Sequence, residues 1–466
     1  MARRVGHEAG TRAQGTAQEP TALKRALTTP LLYFFILGDV LGAGVYVLVG
    51  QVAADAGGAV WVPLVVALLL ALLALLTAAS YAELATKYPR AGGASHYATR
   101  AFGPFAGFVA GFCMLAAGIV SVAALARGFG GDYLSAFVTL PVALVAVVFL
   151  ALLALVNARG IKESTRANVV ATVVEVGGLA VVVVLGAWLL LRGDGDLGRL
   201  TDLGTPEKGA AAAVLSGSVL AYYSFVGFET SVNVAEETRN PRRSYPRALF
   251  GALATAGAVY VLVGLAASAA VPTSQLAGSS GPLLEVVKEA GGVPPKLFSA
   301  IALVAVANGA LLTGIMSSRL AYGMAKDGLL PGALTKVLPG RRTPWAAIAV
   351  TTGLAMLLAL TGSVATLAST LVLLLLIVFL LVNTAVLVLR REPGEPDHFR
   401  APVVLPVLGI ASCVLLATQI EAAVWLRGLA VVAVGAVLAA VSVARRSRRT
   451  NEGEGKRADV DASRPG

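Results

Sequence analysis

Charged residues are scarce. Only 14% of the 466 residues are Asp, Glu, Lys or Arg, where a soluble domain carries about 25%. So few charges cannot cover a water-facing surface, which argues against a soluble enzyme. Polar, low-hydrophobicity tracts are lacking over most of the chain, which excludes general disorder. There are two cysteines, Cys113 and Cys413, both in apolar runs, so no disulfide scaffold is expected. The three histidines, His7, His96 and His398, show no metal-ligand spacing with them. No phosphate loop, nucleophile–base pair or selectivity-filter loop is visible, so neither an enzyme, a cofactor, a metal site nor a channel is expected.

Apolar residues make up 57% of the chain. They fall into twelve runs near the roughly 20-residue length that spans a bilayer. The runs lie at 31–53, 60–82, 104–126, 135–156, 169–191, 211–235, 248–271, 298–318, 345–362, 364–389, 403–422 and 424–444. None alternates with period two, so a β-barrel is excluded. An all-α polytopic membrane protein of twelve helices is expected. The runs 345–362 and 364–389 are joined by almost nothing, which predicts a tight helical hairpin.

Residues 1–30 are polar and basic with no apolar core, which reads as a cytoplasmic tail rather than a signal peptide. With both termini cytoplasmic, 30 of the 37 Lys and Arg residues fall on inside segments, as the positive-inside rule requires. Topology and anionic lipid therefore account for the net charge of +11, and nucleic acid is not an expected partner. The basic cluster Arg445, Arg446, Arg448 and Arg449 follows the last run, where it meets anionic headgroups.

Two runs are interrupted. The first contains Gly38-Asp39-Val40-Leu41-Gly42-Ala43-Gly44 near its middle. Glycine weakens a helix and lets backbone approach a ligand, but small residues also mediate helix packing in membranes, and this stretch alone leaves both readings open. The sixth run contains Tyr222-Tyr223-Ser224-Phe225-Val226-Gly227-Phe228-Glu229. Runs one and six correspond if residues 31–192 and 211–390 are two five-helix repeats. Paired interruptions in inverted repeats point to a transporter's central site. Free N–H groups at one break suit a carboxylate and free carbonyls at the other suit an ammonium, a combination that fits an amino acid.

Five segments resemble the amino acid–polyamine–organocation superfamily of permeases: Gly38 to Gly50, Tyr81 to Tyr97, Asn157 to Asn168, Ser224 to Arg247 and Arg319 to Pro331. The resemblance implies five plus five inverted helices with two appended, and alternating access about a midplane site. The layout is then a tail (1–30), a first repeat (31–192), an extracellular loop (193–210), a second repeat (211–390), two further helices (391–444) and a basic cytoplasmic tail (445–466).

By the resemblance, Gly42, Ala43 and Gly44 hold the substrate carboxylate, and carbonyls at Tyr223, Ser224 and Val226 hold its amino group, with Tyr223 as an aromatic gate. Glu229 matches an acidic residue used in gating or proton sensing. Lys87, Glu236, Arg319 and Asp327, with Arg90 and Lys326, read as a cytoplasmic ion-pair lattice that stabilises one gate state rather than as substrate contacts. There are departures. Ala117 stands where the cationic branch has a glutamate, Glu175 where several relatives have a lysine, and Asp39 where they have a neutral residue. An ionisable group inside a span is a functional candidate, so Glu175 and Asp39 are expected to couple transport to a proton, or to Na⁺. The function expected is secondary active transport of amino acids in the plasma membrane, by proton symport or exchange, in a monomer or weak homodimer. The alternatives are a polyamine or cationic amino acid antiporter, or a non-transporting sensor of the same fold.

Overall fold

The computed structural model describes residues 27–437, apart from 42–43, 89–92, 160–163, 205–208, 340, 342 and 393–397. Gly42, Ala43, Arg90, the Lys162–Glu163 pair and both tails therefore lie outside the described residues, as do the side chains of Glu236 and Glu237.

Helices account for nearly all regular structure. The first apolar run forms two of them, α1 (Thr29–Leu41) and α2 (Gly44–Ala56). Then come α3 (Trp61–Lys87), α4 (Gly93–Phe102), α5 (Pro104–Phe129), a single turn α6 (Asp132–Ser135), α7 (Val142–Arg159) and α8 (Ser164–Arg192). The second half contains α9 (Ala210–Tyr223), a 3₁₀ segment Phe228–Glu237, α10 (Pro241–Ala270), α11 (Thr273–Gly278), α12 (Pro282–Ala290) and α13 (Pro295–Lys326). It ends with α14 (Trp345–Thr361), α15 (Val364–Leu389), α16 (Val404–Ala417) and α17 (Ala422–Val437). The described residues form no strand, only the isolated bridge Leu27–Thr238.

Prolines open several helices at their first position, where the missing N–H costs nothing. Pro104, Pro241 and Pro295 do this for α5, α10 and α13. Among the described residues, eight spans are long and apolar enough to cross a membrane, or nine if α16 and α17, bent by 118° at their junction, count as one span. Helix α14, at 17 residues, is shorter than these. The described part of each of the twelve apolar runs includes helix.

The outer helices carry apolar side chains into the surroundings. On α7, Val148, Leu152 and Leu155 are exposed, and on α8, Val184, Trp188 and Leu191. Their spacing of three and four residues makes one face of each helix. An apolar surface this extensive fits lipid rather than water. The chain is a multi-pass membrane protein.

Inside, α5 packs against α13 and α15, α3 against α9 and α10, and α1 against α8 and α10. Helix α2 lies against α9, and α7 against α14. The hairpin expected from the two-residue link Gly362–Ser363 does not close. Ser363 caps α15 through Thr366 N, but α14 lies on α5, α7 and α13 instead of along α15. Its buried small side chains, Ala347, Ala355 and Ala359, face those helices, and the guanidinium of Arg127 from α5 donates to Ala359 O at its C-terminal end, 2.6 Å away. A short link sets proximity of two helix ends, not which faces pack.

Candidate functional site

The site forms beside residues 42–43, which lie between α1 and α2 outside the described residues, and at the end of α9. Helix α9 ends at Tyr223, and the chain tightens through Ser224 N→Ala221 O, Phe225 N→Tyr222 O and Val226 N→Tyr223 O. These i→i−3 bonds close the last turn. Gly227 then takes φ +129°, a conformation open to glycine. A Cβ there would sit 2.7 Å from Asp39 O, so the turn lies directly on α1. The Gly227 N–H donates to Glu229 Oε2 at 2.9 Å. Glu229 thereby caps the 3₁₀ segment that follows the turn.

The α1–α2 segment and the turn after α9 border one open cavity. Asp39, Val40 and Gly44 line it from α1 and α2, and Tyr223, Ser224, Val226 and Glu229 from the end of α9 and the chain that follows. Ala117, Gly118 and Ser121 of α5, Thr313 of α13 and Leu371 of α15 complete much of the wall. No Lys, Arg or His is among its described lining residues, while Asp39 and Glu229 are. Thr230 donates through its hydroxyl to the Asp39 carboxylate. The Tyr223 hydroxyl lies 3.2 Å from that of Ser121, which ties this aromatic ring to α5. Gly44 is packed as well as cavity-lining, since a Cβ there would lie 3.0 Å from Ser224 Cα. The two readings of the glycine-rich stretch, packing and cavity lining, thus coexist at this residue.

Glu175 does not reach that cavity. It is 0% exposed on α8, with Oε1 accepting from Asn308 Nδ2 of α13 at 3.0 Å. Its other oxygen, Oε2, has no partner among the described residues. The Tyr46 hydroxyl donates to the Glu175 carbonyl at 2.7 Å. Asp39 and Glu229 both line the cavity, and α8, which carries Glu175, packs against α1.

The expected gate residues are dispersed. Lys87 is buried and donates to the carbonyls of Leu389 and Glu392 at 2.7 and 3.0 Å. Arg319 and Asp327 are exposed, and among the described residues no ion pair joins either to Lys87. In their place, at the C-terminal ends of α3 and α15, Arg390 grips Glu83 through two bonds of 2.8 and 2.6 Å. Glu83 also accepts from Ala401 N at 2.9 Å. Nearby, Glu392 accepts from Arg100 and from the Tyr88 hydroxyl, at 2.8 and 2.9 Å. Arg100 stacks 4.3 Å above the Tyr88 ring. The pair with Arg100 holds the Glu392 carboxyl below its ordinary range.

Sequence reasoning passed over Tyr260, Asn308, Thr230, Ser121, Glu83 and Arg390. Glu83 and Thr230 stood inside segments singled out for their resemblance, and Asn308 is a polar residue in the apolar run 298–318. Nothing local marked Ser121, Tyr260 or Arg390. No group of three or more His, Cys, Asp or Glu side chains that could hold a metal occurs among the described residues.

The chain is 28% identical to a branched-chain amino acid permease of Bacillus subtilis, over 85% of this chain and 88% of that one. It is 31% identical to an uncharacterized transporter of Mycobacterium tuberculosis, over 94% of this chain and 96% of the other. Against the vacuolar cationic amino acid transporter 4 of Arabidopsis thaliana it is 31% identical, over 81% of this chain and 65% of that protein. Residues 27–446 match the amino acid permease family from end to end of the described helices. The matching family and relatives are permeases and transporters rather than enzymes, and this chain belongs to the amino acid permease family.

Proposed function

We propose that the protein is a secondary active transporter of amino acids that works by alternating access. The observation that carries this is one cavity bordered both by the α1–α2 segment and by the turn after α9, with Asp39, Gly44, Tyr223 and Ser224 in its lining. Carbonyls at Tyr223, Ser224 and Val226 take the substrate ammonium, and Gly42, Ala43 and Gly44 take its carboxylate. Tyr223 covers the bound side chain. Energy comes from a proton gradient or from exchange, with Glu175 and Asp39 as the coupling carboxyls.

We read the twelve helical runs as twelve spans, ten of them in two inverted repeats. The packing supports this. Exchanging the halves pairs α1/α2 with the sixth run, α3 with α10, α5 with α13, α7 with α14 and α8 with α15. The contact of α1 with α10 then maps onto that of α3 with α9, α8 with α13 onto α15 with α5, and α14 with α5 onto α7 with α13. A set of contacts that maps onto itself in this way is what an internal two-fold axis produces. Both termini are assigned to the cytoplasm and the bilayer to the plasma membrane, on the distribution of Lys and Arg.

Uptake of radiolabelled amino acids into liposomes containing the purified chain tests the function. Accumulation driven by an inward proton gradient supports symport, and accumulation that needs internal substrate supports exchange. If none of the twenty amino acids enters under either condition, the proposal fails. A second reading, a carrier of cationic amino acids or polyamines, is favoured by the acidic, Lys- and Arg-free lining. Lysine or putrescine outcompeting leucine in the same assay would select it.

A further inference from the structure

Tyr260 of α10 bridges α1 and the turn after α9. Its hydroxyl donates to Val40 O at 2.5 Å and to Ser224 O at 2.8 Å. One carbonyl belongs to the last turn of α1, and the other follows the end of α9. Past the end of α9, no backbone N–H among the described residues reaches Ser224 O, as expected where a helix ends. A phenol has one proton to donate, so the two acceptors share it. Tyr260 is itself 0% exposed and its ring meets Phe225 edge-on, with centroids 5.1 Å apart. Packing therefore fixes where the hydroxyl sits. Val40 and Ser224 both border the cavity.

We infer that Tyr260 is a positioning residue for the substrate's ammonium group. Its hydroxyl clamps the two carbonyls, one from each half of the chain, within reach of a single ammonium nitrogen. An ammonium carries three N–H donors and can satisfy the capacity that one shared phenol proton leaves over. A substrate amine thus completes a polar arrangement that the empty protein holds half-made. Without the phenol oxygen, nothing on α10 holds α1 and the turn after α9 in register, and each carbonyl can turn to another partner. This inference rests on reading the cavity as an amino acid site, and it adds a residue of α10 to that site.

The test compares ligands that differ only in the α-amino group: leucine with 4-methylpentanoate, and lysine with 6-aminohexanoate. Binding to the purified full-length protein is measured for wild type, Tyr260→Phe and Tyr133→Phe. Tyr260→Phe keeps the ring and its contact with Phe225. Tyr133→Phe serves as the control, because the Tyr133 hydroxyl also donates to a buried carbonyl, Tyr46 O, at 2.6 Å, away from both carbonyls at issue. The expected result is that wild type prefers the α-amino compound, and that Tyr260→Phe loses about tenfold of that preference. Tyr133→Phe should keep it. If Tyr260→Phe weakens both members of a pair by one factor, or discriminates as well as or better than wild type, the inference is overturned. Failure of wild type to bind any amino acid is a separate outcome and removes the amino acid site itself, and this inference with it.

Discussion

Glu175 is where residue chemistry and function are most tightly joined. It is buried between helices, with one carboxylate oxygen on Asn308 and the other without a partner among the described residues. An unpaired charged oxygen in such a place is costly, so the group is under pressure to change protonation or gain a partner as access alternates. Glu175→Gln keeps the shape and removes the titration. Uptake by this variant should lose its pH dependence while exchange survives, and a variant that keeps the wild-type pH profile would sink the coupling role. Gly227 makes a second prediction at this scale. Its φ of +129° and the 2.7 Å approach of a Cβ to Asp39 O leave no room for a side chain. Gly227→Ala should cost on the order of 1–3 kcal/mol, read as a lower Tm, and should impair uptake beyond the loss of folded protein. Gly44→Leu is less informative than its place in the glycine-rich stretch suggests, because it adds a branched side chain beyond a Cβ that already lies 3.0 Å from Ser224 Cα. Gly44→Ala is the better probe of the carboxylate site.

At the scale of elements, the pairing of α3 with α15 is secured by Glu83 and Arg390, whose side chains are only 2% and 10% exposed. Removing one partner leaves a buried charge alone, at a cost of about 3–5 kcal/mol. Glu83→Gln and Arg390→Met should each lower Tm strongly, and the double variant should recover part of the loss. Independent, additive losses would show that the pair does not act as a unit. The outer pair Arg100–Glu392 is different, since both side chains are more than a third exposed. Arg100 depresses the Glu392 carboxyl from its ordinary value of 4.5. A depressed carboxyl contributes stability above the unfolded value, and that stability is lost as pH falls through the folded one. The contribution is therefore complete at neutral pH and disappears only in acid. Comparing Tm of wild type and Glu392→Gln from pH 7 to pH 3 should show a small difference that vanishes at the acid end and shrinks with added salt.

For the whole molecule, the decisive measurement is sidedness. Cys113 and Cys413 are both buried, so a Cys113→Ala, Cys413→Ala background should fold and give no labelling. In it, Asp194→Cys, between α8 and α9, and Lys336→Cys, between α13 and α14, are both exposed positions. The proposed topology places the first outside and the second inside. An impermeant maleimide added to intact cells should label Asp194→Cys and leave Lys336→Cys untouched until the membrane is opened. Labelling of both from outside would overturn the twelve-span arrangement.

How much of this was legible without coordinates follows from the range of each interaction. Composition and run length dictate helices in a membrane, because a bilayer demands about 20 apolar residues and internally satisfied backbone. The interruption at Tyr223–Gly227 was equally legible, since weak helix formers act locally, whereas the one expected at Gly42–Gly44 falls on residues 42–43, outside the described residues. So Asp39, Gly44, Tyr223, Ser224, Val226 and Glu229 could be named from the sequence, and the structure gathers them around one cavity. Partners across the fold were not legible. Tyr260 lies 220 residues from Val40, Asn308 is 133 residues from Glu175, and Arg390 is 307 from Glu83. The lattice expected around Lys87, Arg319 and Asp327 followed from charge at helix ends, yet Lys87 chose carbonyls of the α15 terminus. Local sequence states which groups are left unsatisfied where a helix ends or a charge enters a span. Only the tertiary fold decides which distant side chain satisfies them, because that choice depends on which helix faces meet, and the chain between them places no constraint on it.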